Sequence, residues 1–148
     1  MSHKRSQAIT IGLFLTLLLV PLDPLGLTGL ASIAGAEDAK PLFVQASQAL
    51  NTAQFKEALD AYGKAESASK TSASKASAAN GQGYVYMKWR KYAQAIPHLK
   101  RAIEIDPTLV VAWNNLGACH LTLYEAGASD KEALDSALSA FGKVAELD

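Results

Sequence analysis

Residues 83–107 read GYVYMKWRKYAQAIPHLKRAIEIDP. Gly83 and Tyr86 lie three apart, and Ala95, Leu99 and Ala102 follow at the four-then-three spacing that puts side chains on one face of a helix. The Asp106-Pro107 pair closes the stretch, because proline lacks an amide hydrogen and pushes the residue before it out of helical geometry. This is one helix–turn–helix unit, and it recurs. Aligning Ala58, Ala95 and Ala137 brings Tyr62, Leu99 and Phe141 into register four residues on, and Ala65, Ala102 and Val144 seven residues on. Upstream, Ala46, Gly83 and Gly117 align, preceded by Leu42, Ala79 and Trp113 four residues earlier. A helix pair cannot bury both its faces alone, so three stacked pairs are expected.

The pattern predicts helices near residues 39–50, 54–68, 73–89, 92–105, 109–126 and 130–147. A small residue in each first helix admits the second, and a larger apolar residue on the second fills the space toward the next unit. Ser67 to Ser77 reads either as a Ser/Ala/Lys linker or as an extension of the third helix, and the helix is favoured. Pro97 is placed within about one turn of its helix start, where amide hydrogens have no partner within the helix. Unit three carries eight extra residues. Gly127 is expected to end its first helix, Ser129-Asp130-Lys131-Glu132 to form a capping box, and each helix to gain about four residues, roughly one turn.

These residues resemble the tetratricopeptide repeat family, whose motif is W-x2-L-G-x2-Y, then A-x3-F, then A and P. Trp113, Leu116 and Gly117 reproduce its first part, Gly83 and Tyr86 the G-x-x-Y step, and Ala95, Leu99, Ala102 and Pro107 the remainder. Gln82 and His120 depart from the motif, as do Ala46 and Ala49 in the first unit. The resemblance implies an all-α, right-handed solenoid of three helix pairs over residues 37–148, with units at about 39–72, 76–109 and 110–148. Ala46, Ala58, Tyr62, Gly83, Tyr86, Ala95, Leu99, Trp113, Gly117, Ala137 and Phe141 would pack the repeats.

The family's concave groove is lined by the first helix of each pair. Carried over by resemblance, it would show Phe43, Ser47 and Asn51 from unit one and Asn80, Tyr84, Met87 and Lys88 from unit two. Asn114, Ala118 and Leu121 would follow from unit three. Such a surface suits an extended peptide, with amides for its backbone and aromatic rings for its side chains. Some members grip a C-terminal carboxylate through a fixed set of Lys, Arg and Asn. Phe43, Ser47, Gly81 and Val111 stand at those places here and only Asn115 fits, which disfavours that ligand.

Composition excludes other classes. Twenty-seven of 148 residues are alanine, which favours helix, and residues 37–148 hold 12 Lys and Arg against 13 Asp and Glu. A near-neutral domain lacks the basic surplus that displaces counterions from nucleic acid. Lys88, Arg90, Lys91, Lys100 and Arg101 are expected to cluster near the second unit's turn, as a local basic patch at most. Cys119 and His120 are adjacent on a helix and so point about 100° apart. Cys119 reads as a small core residue, and His98 and His120 have no metal-ligand spacing. No catalytic set, metal site or cofactor motif can be assembled, so the expectation is a protein or peptide binder and not an enzyme.

Residues 1–36 read as an address. His3, Lys4 and Arg5 precede the apolar run Ile9 to Val20, and Ala34-Gly35-Ala36 follows as a small-residue cleavage site after Ala36. The run spans roughly 18 Å as helix, short of the roughly 30 Å hydrocarbon core of a bilayer. A cleaved signal peptide and a periplasmic or secreted protein is the preferred expectation. An uncleaved signal anchor in the inner membrane is the alternative, and membrane contact is expected only if the segment is retained. A second function is also open: self-assembly into a homo-oligomer through Leu138, Phe141, Val144 and Leu147 on the last helix.

Overall fold

The computed structural model describes residues 39–127 and 131–147, all within one compact unit. The expected signal segment with its cleavage site at Ala36, and the Ser129-Asp130 part of the expected capping box, lie outside these residues. Six helices and no strands occur among the described residues. They are α1 (39–51), α2 (Phe55–Ala68), α3 (Ser72–Lys88), α4 (Tyr92–Ile105), α5 (Val110–Glu125) and α6 (Lys131–Leu147). Paired in sequence order, they form an all-α solenoid of three helix pairs. No helix among the described residues is long and apolar enough to cross a membrane.

The core is made of alanine. Ala46, Ala58, Ala61, Ala65, Ala76, Ala79, Ala95, Ala102 and Ala112 are fully buried, and Leu99, Val85 and Cys119 are the largest side chains completely out of solvent. Methyl-sized contacts let helices approach closely, so a few larger groups fill what remains. In the first pair, Ala46 and Ala49 of α1 meet Ala58, Ala61 and Tyr62 of α2, with Val85 of α3 closing the cluster. The second and third pairs share Ala95, Leu99, Leu116, Cys119 and Ala140. Ala137 is buried on α6, and Phe141 is half-buried beside it.

Each pair reverses through a left-handed residue. Ala53, Arg90 and Gly127 have φ of 56°, 60° and 66°, at positions thirty-seven residues apart in both intervals. At the first two the hydrogen bonds match. The amides of Ala53 and Arg90 donate to the carbonyls of Leu50 and Met87, and those of Gln54 and Lys91 donate to Ala49 and Tyr86. This is the Schellman closure, which satisfies the last helical carbonyls. Only the third turn has the glycine that bears this conformation without steric cost. Ala53→Gly and Arg90→Gly are therefore each expected to stabilise the fold by about 0.5–1 kcal/mol, read as a rise in the urea midpoint at unchanged slope.

The other connections are held by side chains. Thr71 accepts a bond from the Ser74 amide (3.1 Å) and caps α3. Buried Ser69 donates to the Ala65 carbonyl (2.6 Å) and lies 2.7 Å from the Ser74 hydroxyl. Residues 69–71 are thus a fixed turn, and the helix expected across the serine-rich stretch starts at Ser72. Between α4 and α5, Asp106 accepts from both the amide and the hydroxyl of Thr108, and the Trp113 indole donates to the Pro107 carbonyl (2.8 Å).

One packing expectation changes. Pro97 is the sixth residue of α4, and the Ala95 amide two positions earlier already has its helical partner in Lys91. Pro97 therefore removes one interior hydrogen bond, at the exposed Ala93 carbonyl. The step from Gly117 to Gly127 is ten residues, against seven from Gly83 to Arg90, so three of the eight extra residues of unit three fall in α5, close to the expected turn of helix. Leu99 and Phe141 lie over Gly83 and Gly117 of their own units, Leu99 also meets Leu116 and Cys119 of unit three, and Tyr62 lies against Gly81 of unit two, so the larger residues of α2 and α4 fill space toward the next unit as expected. Ala46, fully buried, stands where units two and three have glycine.

Candidate binding groove

The site is built around α3, the helix flanked by α2 and α4. Gly81 and Gly83 lie two residues apart and so face different neighbours. A β-carbon at Gly81 would come 2.5 Å from the Tyr62 ring, and one at Gly83 would come 2.6 Å from Leu99. Backbone contact on both sides draws the helices together and sets Tyr62 beneath the concave face. There its ring meets that of Phe43 edge-on, with centroids 6.0 Å apart and planes at 72°.

Above these rings is a cavity of about 320 Å³, lined by Phe43, Tyr62, Ser77, Asn80, Gly81, Tyr84, Val111 and Asn115. Asn115 is buried, and its side-chain amide donates to the Asn80 carbonyl oxygen at 3.0 Å, tying α5 to α3. Tyr84 and Val111 form the open rim, 39% and 46% exposed. Every lining residue is uncharged. A wider depression of about 680 Å³ lies between Leu42 and Ala68, but its charged residues, Asp60 and Lys64, are paired with each other at 2.6 Å.

Of the expected groove residues, the structure brings Phe43, Asn80 and Tyr84 together in this cavity. Ser47 is exposed and outside it, and its hydroxyl donates to the Phe43 carbonyl in its own helix. Lys88 sits beyond the rim with its ammonium 5.9 Å from the Tyr84 ring centroid. Asn114 is exposed and Ala118 half-buried, and neither lines the cavity. Their places are taken by Val111 and Asn115, because α5 meets α3 along the neighbouring ridge, and adjacent helix residues differ by about 100°. Tyr62, Ser77 and Gly81 also join the lining. The sequence signal for three of these was the set of carboxylate-gripping places, since Gly81, Val111 and Asn115 occupy them together with Phe43.

The expected basic cluster divides. Lys91 lies over the Trp89 ring, 3.4 Å from its centroid, beside a stack in which Phe55 and Tyr86 flank Trp89. Arg101 is further along α4, 2.9 Å from Glu66 Oε1 in an ion pair without hydrogen-bond alignment. Glu66 Oε2 accepts from the Gln82 amide at 2.9 Å. Lys100 lines a separate hollow with Trp113, His120, Glu132 and Asp135.

Cys119 is fully buried, and burial pushes its thiol up to about 12, so the thiolate is suppressed. No group of three or more metal-ligating side chains is present among the described residues. His98, stacked on Tyr86 at 5.1 Å, is held below the usual 6.5 by burial, opposed by the Glu66 carboxylate and reinforced by Arg101. His120 is lowered by burial and then by Lys100. Both histidines take up a proton more readily unfolded than folded, so stability present above 6.5 is lost as pH falls below it. The thermal midpoint is expected to drop on acidification from neutrality toward about pH 5, and a His98→Gln/His120→Gln variant to show a shallower drop.

Residues 76–109 match the tetratricopeptide repeat family. That stretch is similar to a single tetratricopeptide repeat. Solved tetratricopeptide domains share the fold. The first such domain of Spaghetti (RPAP3), bound to the HSP90 peptide SRMEEVD, superposes with a TM-score of 0.63 at 18% identity over 76% of this chain and 81% of that one. The second Spaghetti domain, bound to the same peptide, gives 0.61 at 18% identity over 76% and 94%. The first domain of human RPAP3 gives 0.62 at 19% identity over 76% and 80%. No match was found among curated proteins. The likeness is one of fold.

Proposed function

We propose that this chain is a non-enzymatic scaffold that holds an extended segment of a partner protein along the concave face of its helix pairs, outside the cytoplasm. The observation that carries this reading is the cavity at Phe43, Asn80, Tyr84, Val111 and Asn115, where rings and amides converge on one open surface. The solved domains with the same fold that hold the HSP90 peptide SRMEEVD lend it support. The export part rests on the charged, apolar and small-residue order of residues 1–36.

Tyr84→Ala with Val111→Ala tests the groove. Both residues are well exposed, so the fold is expected to persist while partners recovered from an envelope extract are lost. Undiminished recovery by the folded double variant defeats the reading. The mass of the chain isolated from that extract shows whether it begins after Ala36.

Self-association through α6 is a second reading, favoured by Leu138 and Leu147, which are 61% and 39% exposed. Phe141 and Val144, expected on the same bare face, are half-buried, and the Phe141 ring lies against Gly117. The remaining patch is small. A monomer by light scattering across micromolar concentrations removes this reading.

A further inference from the structure

The scaffold reading says where a partner would lie; the lining of the cavity says what chemistry it would carry. We propose that this groove selects an uncharged stretch of extended chain, seating one aliphatic or aromatic side chain among Phe43, Tyr84 and Val111 and bonding one of its peptide groups to the Asn80–Asn115 pair. The proposal rests on the scaffold reading.

Charge is the first argument. The eight lining residues carry no ionised group, and Phe43, Gly81 and Val111 occupy places where a carboxylate-gripping groove needs cations or amides. A carboxylate seated among these eight residues would lose water and gain no counter-charge from them, the Lys88 ammonium lying beyond the rim, which costs several kcal/mol for an unpaired ion. An acidic C-terminal peptide such as the SRMEEVD bound by the Spaghetti domains is therefore excluded by the same cavity that admits an apolar group.

Hydrogen bonding is the second. The Asn115 amide nitrogen donates to the Asn80 oxygen, which leaves Asn80 with an N–H donor and Asn115 with a carbonyl acceptor that no described residue takes up. One donor and one acceptor from adjoining helices complement the C=O and N–H of a peptide group. The arrangement reads backbone and carries no preference for a free terminus. Size is the third. A cavity of about 320 Å³ is at the lower end of ligand sites, enough for one large side chain with its flanking backbone. Val111 and Tyr84 at the rim offer the apolar contact that such a side chain gains on leaving water.

The test is selection of random linear peptides displayed on phage against the full chain, followed by titration of the recovered sequences as synthetic peptides. Recovered peptides are expected to centre on Leu, Ile, Phe or Tyr with neutral neighbours and to bind within about twofold whether the C-terminus is free or amidated. Affinity is expected to change less than about threefold between low and high salt, since no ion pair is there to be screened. Val111→Lys is expected to weaken these peptides at least about tenfold while leaving the thermal midpoint in place, because Val111 is 46% exposed. Recovery of acidic peptides whose binding is lost on amidation or in salt overturns the proposal and leaves the scaffold reading standing. Neutral peptides indifferent to Val111→Lys also overturn it. Recovery of no peptide overturns both.

Discussion

Leu99→Ala is expected to lower the unfolding free energy by about 2–4 kcal/mol. Leu99 is the largest side chain among the described residues with no solvent exposure, and it fills the gap over Gly83, against Ala95, Leu116 and Cys119. An alanine-lined core has few side chains that can rotate into a void, so relaxation recovers little. Gly83→Ala alone is expected to cost about 1–3 kcal/mol, since its new methyl would come 2.6 Å from Leu99. The two changes touch the same space. Combined, the methyl enters the volume that Leu99 vacates, and the double variant is expected to lose less than the sum of the singles by about 1–2 kcal/mol. Urea denaturation of the four proteins measures this coupling, and strict additivity would mean that α3 and α4 do not meet at this pair.

The second large effect is at Gly81. Alanine is the better helix former, by about 1 kcal/mol at an exposed helix interior. Here its β-carbon would stand 2.5 Å from the Tyr62 ring, a rigid group seated against Phe43, so α2 and α3 must separate or the ring must enter the groove. Gly81→Ala is expected to destabilise by about 1–3 kcal/mol net of that propensity gain. Gly63→Ala and Gly142→Ala serve as controls, because a β-carbon at either meets nothing within 4 Å. Each control is expected to gain about 0.5–1 kcal/mol. Opposite signs for chemically identical substitutions isolate interhelix contact from helix propensity.

These residues also show what periodicity alone conveys. The recurrence of Ala58, Ala95 and Ala137 locates six helices to within about two residues of their observed ends, because a buried helix face must repeat small and apolar groups whatever its neighbours are. Alanine at 46 and glycine at 83 and 117 likewise mark where helices cross. Periodicity carries no information on how far one helix is turned relative to the next. Asn114 and Asn115 are equal as letters, and the superhelical advance from α3 to α5 brings Asn115 to Asn80. The left-handed turns at Ala53 and Arg90 are hidden for a similar reason, since neither residue favours that conformation and the packed pairs impose it.

Alternation of small and large groups by itself determined the class of fold and the number of helix pairs, and residue type alone the lack of a carboxylate-gripping set at the concave places, since these depend on residue type and spacing along one helix at a time. The packing of helices from different units decided the membership of the groove and the contact of Tyr62 with Gly81. Those features depend on the rotation of one rod against another, a quantity summed over many weak contacts that no single stretch of chain contains.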